Sequence, residues 1–429
     1  MTDFEKMLDE IRKTIRKEIA KIKIERDYSK FGIKFNPFPP AAIARYPQLP
    51  PLDEQVYKKI LRFIASTYSK REDEKFGEYA GLSIVGEYGM GKTHLMKHIQ
   101  LIIDSLNKSE TEFSALTCFI DRPEDSPQRV IHKIIEQIGA DNLRKLLWNV
   151  LIEEFQKDTH AFYEKHKSAE TLIMSKKEEW SRLFIAPTKT NPLEFLREFR
   201  KLGGNAKTLE EDCRRIIKEK IIPDDVLAER YLDLLFPTKK GELSWDILAG
   251  YIIRKDIQRK EVQFLNSIVQ ILKENNYNML YVFIDEFEDI SKLSKIKLTN
   301  YLLTLNTLIN RERHWAVIVS LTQDALTLIK ERSPPLYDRL TSDIIQLKPL
   351  NEEKAKQLII NYLNLAREDK SEDIYPFSEE LVLQMLKISK GNYRSFIRLA
   401  HKIIELSLIE DIRPPFTKEV LERLIGEEE

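Results

Sequence analysis

The residues best suited to chemistry form a glycine-rich turn between a short apolar run and a helical pattern. The turn covers residues 86–93 and reads G-x-x-x-x-G-K-T, with a further glycine inside it. Glycine lets the backbone bend round an anion with successive N–H groups pointing at it, and the following helix N-terminus adds partial positive charge. This stretch predicts a phosphate-binding loop for a nucleoside triphosphate.

The positions in this loop have separate expected roles. The Lys92 ammonium would reach the β- and γ-phosphates, and the Thr93 hydroxyl would bind Mg²⁺. The other positions assigned to nucleotide binding are Gly86, Glu87, Tyr88, Gly89, Met90, Gly91 and His94.

Two carboxylates follow a second apolar run and could complete such a site. Residues 279–290 read MLYVFIDEFEDI, so Asp285 and Glu286 stand where a buried strand would end. We predict that Asp285 holds the Mg²⁺ water shell and that Glu286 orients or deprotonates the attacking water. Together with the loop, this pair predicts a phosphate-loop ATPase that uses ATP and Mg²⁺.

Strand patterns that alternate with helical patterns should position these residues. The strand patterns lie at 82–85, 113–123, 279–284 and 315–323, with a last short strand within 337–350. Such alternation favours a three-layer α/β core with a mainly parallel sheet.

The spacing of the motifs predicts the domain layout. Lys92 and Asp285 lie too far apart for two or three βα units, and the stretch between them carries helical patterns without a convincing strand. The layout has an N-terminal helix and proline-rich arm, a nucleotide-binding core in two pieces, an inserted helical domain and a C-terminal helical lid. The N-terminal helix and arm cover residues 1–52, and the core covers 53–140 and 261–350. The insert covers 141–260, and the lid covers 351–429.

The N-terminal part leaves two alternatives open. An apolar stripe at three- and four-residue spacing over residues 1–27 predicts a helix that packs on its own domain or on a partner helix. Residues 36–51 are too rich in proline for a regular element, so we expect an extended arm. On that arm, Phe38 either covers the adenine or packs against the protein.

Composition excludes some classes of protein. Lys plus Arg and Asp plus Glu both total 69, so bulk positive charge does not drive nucleic-acid binding, although a local basic groove remains possible. Basic residues of the 141–260 insert are interleaved with acids, which is typical of solvated helix faces. Cys118 and Cys213 form no metal-binding pattern and indicate a reduced, cytoplasmic setting. No apolar run approaches 18 residues, so we expect no membrane span.

The order of these parts resembles an AAA+ ATPase over residues 35–140 and 261–425. VIHKIIEQIG, followed by the late acidic strand, resembles the replication-initiator (origin-recognition) branch. The stretch from TQDALTLI to EKAKQLIINYL is similar to ExeA/TnsC-type ATPases of secretion and transposon targeting. GEYGMGKTHL with IDEFEDI is similar to ATP-binding proteins of BREX-type phage-defence systems. The choice among these branches stays open.

The resemblance implies further site residues. Gln323, or its neighbour Thr322, stands where the family has a polar sensor of the γ-phosphate or attacking water. Arg339 stands where a neighbouring subunit's arginine finger is placed, with Arg332 as the alternative, and Arg394 matches the lid arginine that senses nucleotide. Arginine fingers acting between subunits imply a homo-oligomer.

The predicted function is an ATP-dependent switch or oligomer in a DNA-linked process, such as phage defence, target selection or replication. The insert at 141–260 would contact DNA or a protein partner. One alternative is a STAND-like signalling NTPase that assembles on nucleotide without DNA. Another is a scaffold that binds ATP but barely hydrolyses it.

Overall fold

The computed structural model describes most of the chain. The described residues are 27–41, 45–68, 80–109, 113–167, 180–185, 188–236, 260–311 and 315–426. Apart from Asp27, the predicted helix over residues 1–27 lies outside them. The chain forms two compact units, called here the sheet unit and the lid unit. The sheet unit comprises Lys58–Val85 and Ile99–Ile345, and the lid unit comprises Gly86–His98, Gln346 onward and the described residues up to Tyr57.

A five-stranded sheet forms the centre of the sheet unit, in the order β2-β3-β4-β1-β5. The strands are β1 (Ala80–Val85), β2 (Ala115–Ile120), β3 (Met279–Ile284), β4 (Trp315–Leu321) and β5 (Asp343–Gln346). The pairs β1–β4, β3–β4 and β2–β3 are parallel. Because Val85 pairs with Leu321 and Ile284 with Val319, the carboxyl ends of β1, β3 and β4 lie at one edge of the sheet.

The α-helices of the described residues are numbered here in chain order. Before β3 they are α1 (Glu54–Tyr68), α2 (Lys92–Ser109), α3 (Pro127–Ile138), α4 (Ala140–Lys157), α5 (Thr159–His166), α6 (Pro192–Lys201), α7 (Ala206–Lys220), α8 (Asp225–Leu235) and α9 (Lys260–Glu274). After β3 they are α10 (Lys295–Arg311), α11 (Gln323–Arg332), α12 (Pro334–Leu340), α13 (Glu352–Leu363), α14 (Glu379–Ser389), α15 (Tyr393–Ile409) and α16 (Lys418–Gly426). Short 3₁₀ helices cover Ser29–Phe31, Arg182–Phe184, Thr188–Thr190 and Phe287–Lys292.

Helices cover both faces of the sheet. Alternate residues of β3, such as Val282, belong to one apolar cluster with α3, α9 and α10. The intervening Tyr281 points to the other face, where its hydroxyl hydrogen-bonds to Thr67 of α1. On that face the Gln100 amide of α2 also donates to the Thr117 hydroxyl of β2 at 3.1 Å. Parallel strands that are buried on both faces have continuous apolar sequences. The helices on the two faces confirm the predicted three-layer α/β core.

The described part of residues 141–260 is helical and shares the apolar core of the sheet. Leu147 and Trp148 of α4 are fully buried in the same cluster as Phe264 of α9 and Val282 of β3. The Asn275 amide after α9 also donates to the Leu146 carbonyl of α4 at 2.9 Å. We therefore expect this helical segment and the sheet to fold together.

The lid unit has its own apolar core. Helices α13–α16 supply most of it, and the described residues before α1 add Phe31 and Phe38, both nearly fully buried. Phe38 stacks on Tyr362 of α13 with ring centroids 5.2 Å apart. Of the two alternatives that the sequence leaves open for Phe38, the structure shows packing against the protein.

The pair of prolines at 334–335, which from the sequence alone predicts a turn, instead starts a helix. Helix α12 begins at Pro334, and two prolines occupy its first positions. Proline is tolerated there because the first N–H groups of a helix have no partner inside the helix. Arg339 therefore lies on a helix and not on a loop.

None of the helices in the described part of the chain combines the length and apolar content that a membrane span requires.

Candidate active site

The phosphate loop, residues 86–93, has the backbone conformation that its glycines predict. Gly89 and Gly91 have φ angles of +80° and +89°, which residues with a Cβ rarely adopt. Helix α2 begins at Lys92 and is 18 residues long. Its first N–H groups and the positive end of its dipole favour a bound anion. The loop therefore fits the polyphosphate that the sequence predicts.

The Lys92 side chain is buried and turns back into the loop. Its Nζ donates to the Gly86 carbonyl oxygen at 2.9 Å and lies 3.5 Å from that of Glu87. A buried ammonium requires such acceptors because an unpaired charge away from water is costly. These bonds hold the positive charge among the loop's own peptide groups, where phosphate oxygens would meet it.

Two histidines on the first turns of α2 hold the proline-rich arm. The His94 ring N–H donates to the Leu49 carbonyl at 3.2 Å, and the His98 ring N–H donates to the Pro47 carbonyl at 2.6 Å. Burial lowers the pKa of His94, so its ring is neutral near pH 7. The His94 ring, at a position assigned to nucleotide binding, thus fastens the arm to α2.

The lid arginine lies against the phosphate loop within the lid unit. The Arg394 guanidinium sits 4.2 Å from the centroid of the Tyr88 ring, and its backbone N–H donates to the Gly89 carbonyl at 3.0 Å. The Tyr88 side chain is otherwise exposed. A cation over an exposed aromatic face contributes about 0.5–1 kcal/mol.

In the sheet unit, Asp285 follows β3 and is buried, with 5% of its surface exposed. The Ser320 hydroxyl of β4 donates to Asp285 Oδ1. The Glu286 N–H lies 3.0 Å from both Asp285 Oδ1 and Ser320 Oγ. A carboxylate oriented by such outer contacts is a suitable ligand for a hydrated divalent cation.

Glu286 has an unusual backbone and a charged partner. Its φ of +47° lies in the left-handed region, which is uncommon for residues with a side chain and is frequent at functional sites. Its carboxylate pairs with Arg122, two residues beyond β2, at 3.2 Å. Asp289 lies 3.9 Å from the same guanidinium nitrogen. The proposed base therefore takes part in an ion pair within the sheet unit.

The two polar residues after β4 have different settings. Thr322 is the N-cap of α11, and its hydroxyl oxygen accepts from the Ala325 N–H at 3.3 Å. Gln323 is the first residue of that helix and is exposed. The β4 residue that contacts Asp285 is Ser320. The sensor role of Gln323 stays a prediction.

Arg339 is half-buried on α12 and bound to α10. Its Nη1 donates to the Asn306 side-chain oxygen at 2.9 Å and lies 3.4 Å from the Asn306 carbonyl. The alternative, Arg332, is exposed at the end of α11. The finger assignment of either residue stays a prediction.

Among the residues that sequence reasoning missed, three have polar side chains that contact the phosphate loop or the Asp285–Glu286 pair. They are Arg122, Ser320 and Asn392, which contact Glu286, Asp285 and the phosphate loop respectively. Signals existed for two of them, because Ser320 is the polar residue inside an apolar run and Asn392 directly precedes a helical pattern. Arg122 follows its strand in a charged turn, where nothing distinguishes it.

Comparison with known proteins finds no matching family model and no matching curated relative. Among solved structures, the chain is similar to the Aeropyrum pernix ORC1 protein in complex with DNA, at 10% identity and a TM-score of 0.45, over 89% of this chain and 69% of that one. It is also similar to Cdc6p from Pyrobaculum aerophilum, at 11% identity and a TM-score of 0.36, over 90% and 66%. The Aeropyrum pernix ORC2 protein (ADPNP–ADP complexes) matches at 11% identity and a TM-score of 0.43, over 89% and 68%.

These neighbours bear names of the origin-recognition branch that the sequence resembles. At such identities and TM-scores the likeness carries no argument about function. The chain is an α/β protein with a phosphate-loop motif and a parallel sheet.

Proposed function

We propose that this protein binds and hydrolyses ATP with Mg²⁺ and works as a nucleotide-dependent switch or homo-oligomer in a DNA-linked process. The observation that carries the proposal is the phosphate loop, whose positive-φ glycines and buried lysine lead into the N-terminus of α2. Such a loop is built for a polyphosphate.

The chain's own residues supply the proposed roles. Lys92 would bind the β- and γ-phosphates, Thr93 and Asp285 would hold the metal ion, and Glu286 would accept a proton from the attacking water. Bound Mg²⁺ would neutralise charge on the phosphate oxygens. Support for Asp285 comes from its burial and its Ser320 partner.

Two further roles rest on the resemblance to AAA+ ATPases. Gln323 would sense the γ-phosphate, and Arg339 would act on the nucleotide of a neighbouring subunit. The DNA link has the same basis. Salt-dependent DNA binding that responds to ATP would support this link, whereas nucleotide-driven assembly indifferent to DNA would favour the STAND-like alternative.

One observation favours the scaffold that barely hydrolyses ATP. The Glu286 carboxylate is paired with Arg122, and a base in an ion pair is less free to take a proton. This candidate predicts tight ATP binding with very slow turnover.

Two substitutions test the main proposal. Lys92→Ala should weaken ATP binding by about 10- to 100-fold, because it removes a charged donor to phosphate. Glu286→Gln should keep ATP bound but stop turnover, because an amide cannot accept the proton. Titration with a fluorescent ATP analogue and a phosphate-release assay measure the two effects.

Lys97→Ala provides the matched control, because it removes a lysine from the same helix outside the phosphate loop. It should bind ATP as the wild type does. Wild-type affinity in Lys92→Ala would refute the phosphate-loop assignment. Turnover within about threefold of wild type in Glu286→Gln, a barrier change of under 1 kcal/mol, would show that Glu286 is not the base.

A further inference from the structure

Residues 390–394, called here the lid turn, join α14 to the first residues of α15 and contact the backbone of the phosphate loop. Asn392 is the N-cap of α15, where its Oδ1 accepts from the Ser395 N–H at 3.1 Å. The Nδ2 of the same amide donates to the Tyr88 carbonyl at 2.6 Å. One side chain therefore starts the lid helix and binds the phosphate loop.

The Asn392 bond determines which way a loop peptide faces. In a trans peptide the carbonyl and the N–H point in opposite directions. A Tyr88 carbonyl held by the lid turn thus directs the Gly89 N–H to the opposite side. The next peptide is also held, since the Gly89 carbonyl accepts from the Arg394 N–H and the Met90 N–H donates to Glu87. The Met90 N–H is thus engaged within the loop, whereas the Gly89 N–H has a fixed direction before binding, which favours an anion site.

Close packing leaves little freedom at this contact. A Cβ on Gly89 would lie only 2.5 Å from the Asn392 side chain, and the φ of +80° already favours glycine. On the lid side, Gly391 has a φ of +73°, and its carbonyl accepts from the Leu350 N–H at 2.9 Å. The donor and the acceptor are therefore both held by rigid backbone.

We propose that Asn392 is a positioning residue that presets the phosphate loop for the polyphosphate, with Arg394 kept beside the loop by the Tyr88 ring. The proposal rests on the proposed nucleotide binding. Under this proposal, Asn392 raises the affinity for nucleotide without contacting the nucleotide. Binding of the polyphosphate then costs the loop less conformational entropy, because the Tyr88–Gly89 peptide already has the orientation that binding requires.

The test separates capping from positioning with Asn392→Ser. Serine is as good an N-cap as asparagine, but its side chain is too short to reach the Tyr88 carbonyl as well. We expect ATP to bind about five- to tenfold more weakly, the loss of one well-formed hydrogen bond. KM should rise while kcat changes little, because ground state and transition state lose the same preorganisation.

Asn351→Ser is the matched control. Asn351 caps α13 by the same kind of bond, to the Lys354 N–H at 2.9 Å. The Asn351→Ser variant should bind ATP as the wild type does. Without nucleotide, its melting temperature should lie within about 3 °C of that of Asn392→Ser. If Asn392→Ser binds ATP within twofold of Asn351→Ser, Asn392 is only a cap and the proposal is overturned.

A second variant guards against a folding defect. Asn392→Asp keeps the capping oxygen and suits a helix N-terminus, but it sets an acceptor against the Tyr88 carbonyl. It should fold and bind ATP more weakly than Asn392→Ser, and wild-type affinity in it also overturns the proposal. Failure of the proposed function is a different result, in which Lys92→Ala itself binds ATP normally.

Discussion

The Glu286 carboxylate is the clearest case in which one side-chain contact bears on the proposed turnover. It lies 3.2 Å from Arg122 Nε, and both side chains are substantially exposed, at 43% and 66%. An exposed ion pair of this kind contributes about 0.2–1 kcal/mol. The ion pair thus draws the Glu286 carboxylate towards Arg122 and away from an attacking water, but little free energy is needed to break it.

Arg122→Gln should therefore raise the ATP turnover rate by about two- to fivefold, since it frees the base at the cost of a weak ion pair. ATP affinity should not change. Steady-state phosphate release at saturating ATP measures the effect. Arg129→Gln on α3, which breaks an exposed pair with Asp125, should leave turnover unaltered. A fall in turnover with Arg122→Gln would mean that Arg122 assists the reaction.

At the scale of elements, α12 connects Arg339 to α10. The Arg339–Asn306 bond joins two helices of one subunit, so the arginine has a structural partner as well as a proposed role in a neighbour's site. A structural arginine and a finger predict different losses. Removing the first lowers stability, whereas removing the second lowers turnover.

Arg339→Ala should bind ATP nearly normally and lose turnover by about 10³-fold if it acts as a finger. The wild-type specific activity should then rise with protein concentration as the particle mass rises, measured by light scattering. In mixed oligomers, Lys92→Ala subunits should restore hydrolysis in Arg339→Ala subunits. The Lys92→Ala subunits supply an intact Arg339, and the Arg339→Ala subunits supply an intact nucleotide site.

Asn306→Ala and Arg332→Ala are the matched controls for the finger. Asn306→Ala removes the structural bond but keeps the guanidinium, so it should retain most turnover. Equal loss of melting temperature in Asn306→Ala and Arg339→Ala, with little loss of turnover in either, would make Arg339 a structural residue. Loss of turnover in Arg332→Ala alone would move the finger to α11.

At the scale of the whole molecule, the sheet unit shares one apolar core with the helical segment. Leu147 of α4 and Ile268 of α9 are fully buried in the cluster that also contains Val282 of β3. Removing the segment would expose that apolar surface to water. The sheet is therefore expected to need this segment for its own packing.

Replacing residues 142–258 by a Gly/Ser linker should therefore give an unfolded or aggregated product that does not bind ATP. Leu147→Ala should cost about 2–5 kcal/mol through a cavity and lower a single melting transition shared with the sheet. Leu193→Ala, at an exposed position of α6, is the control and should cost little. A folded, ATP-binding deletion variant would show that the segment is an independent domain.

The sequence by itself determined most of the elements of this protein and the candidate residues for its chemistry. The phosphate loop, Asp285, Glu286 and the order of strands and lid helices follow from glycine spacing, apolar runs and capping residues, all of which act within a few positions of the chain. Helix α12 was missed because two prolines indicate a turn as readily as a helix start.

Only the tertiary structure decided which distant residues meet. Ser320 contacts Asp285 because β4 pairs with β3 in a particular register, and Asn392 reaches Tyr88 across more than three hundred residues. The burial of Phe38 against Tyr362 and the core that α4 shares with β3 are contacts of the same kind. They depend on how surfaces fit after the elements have formed, and periodicity along the chain does not encode that fit.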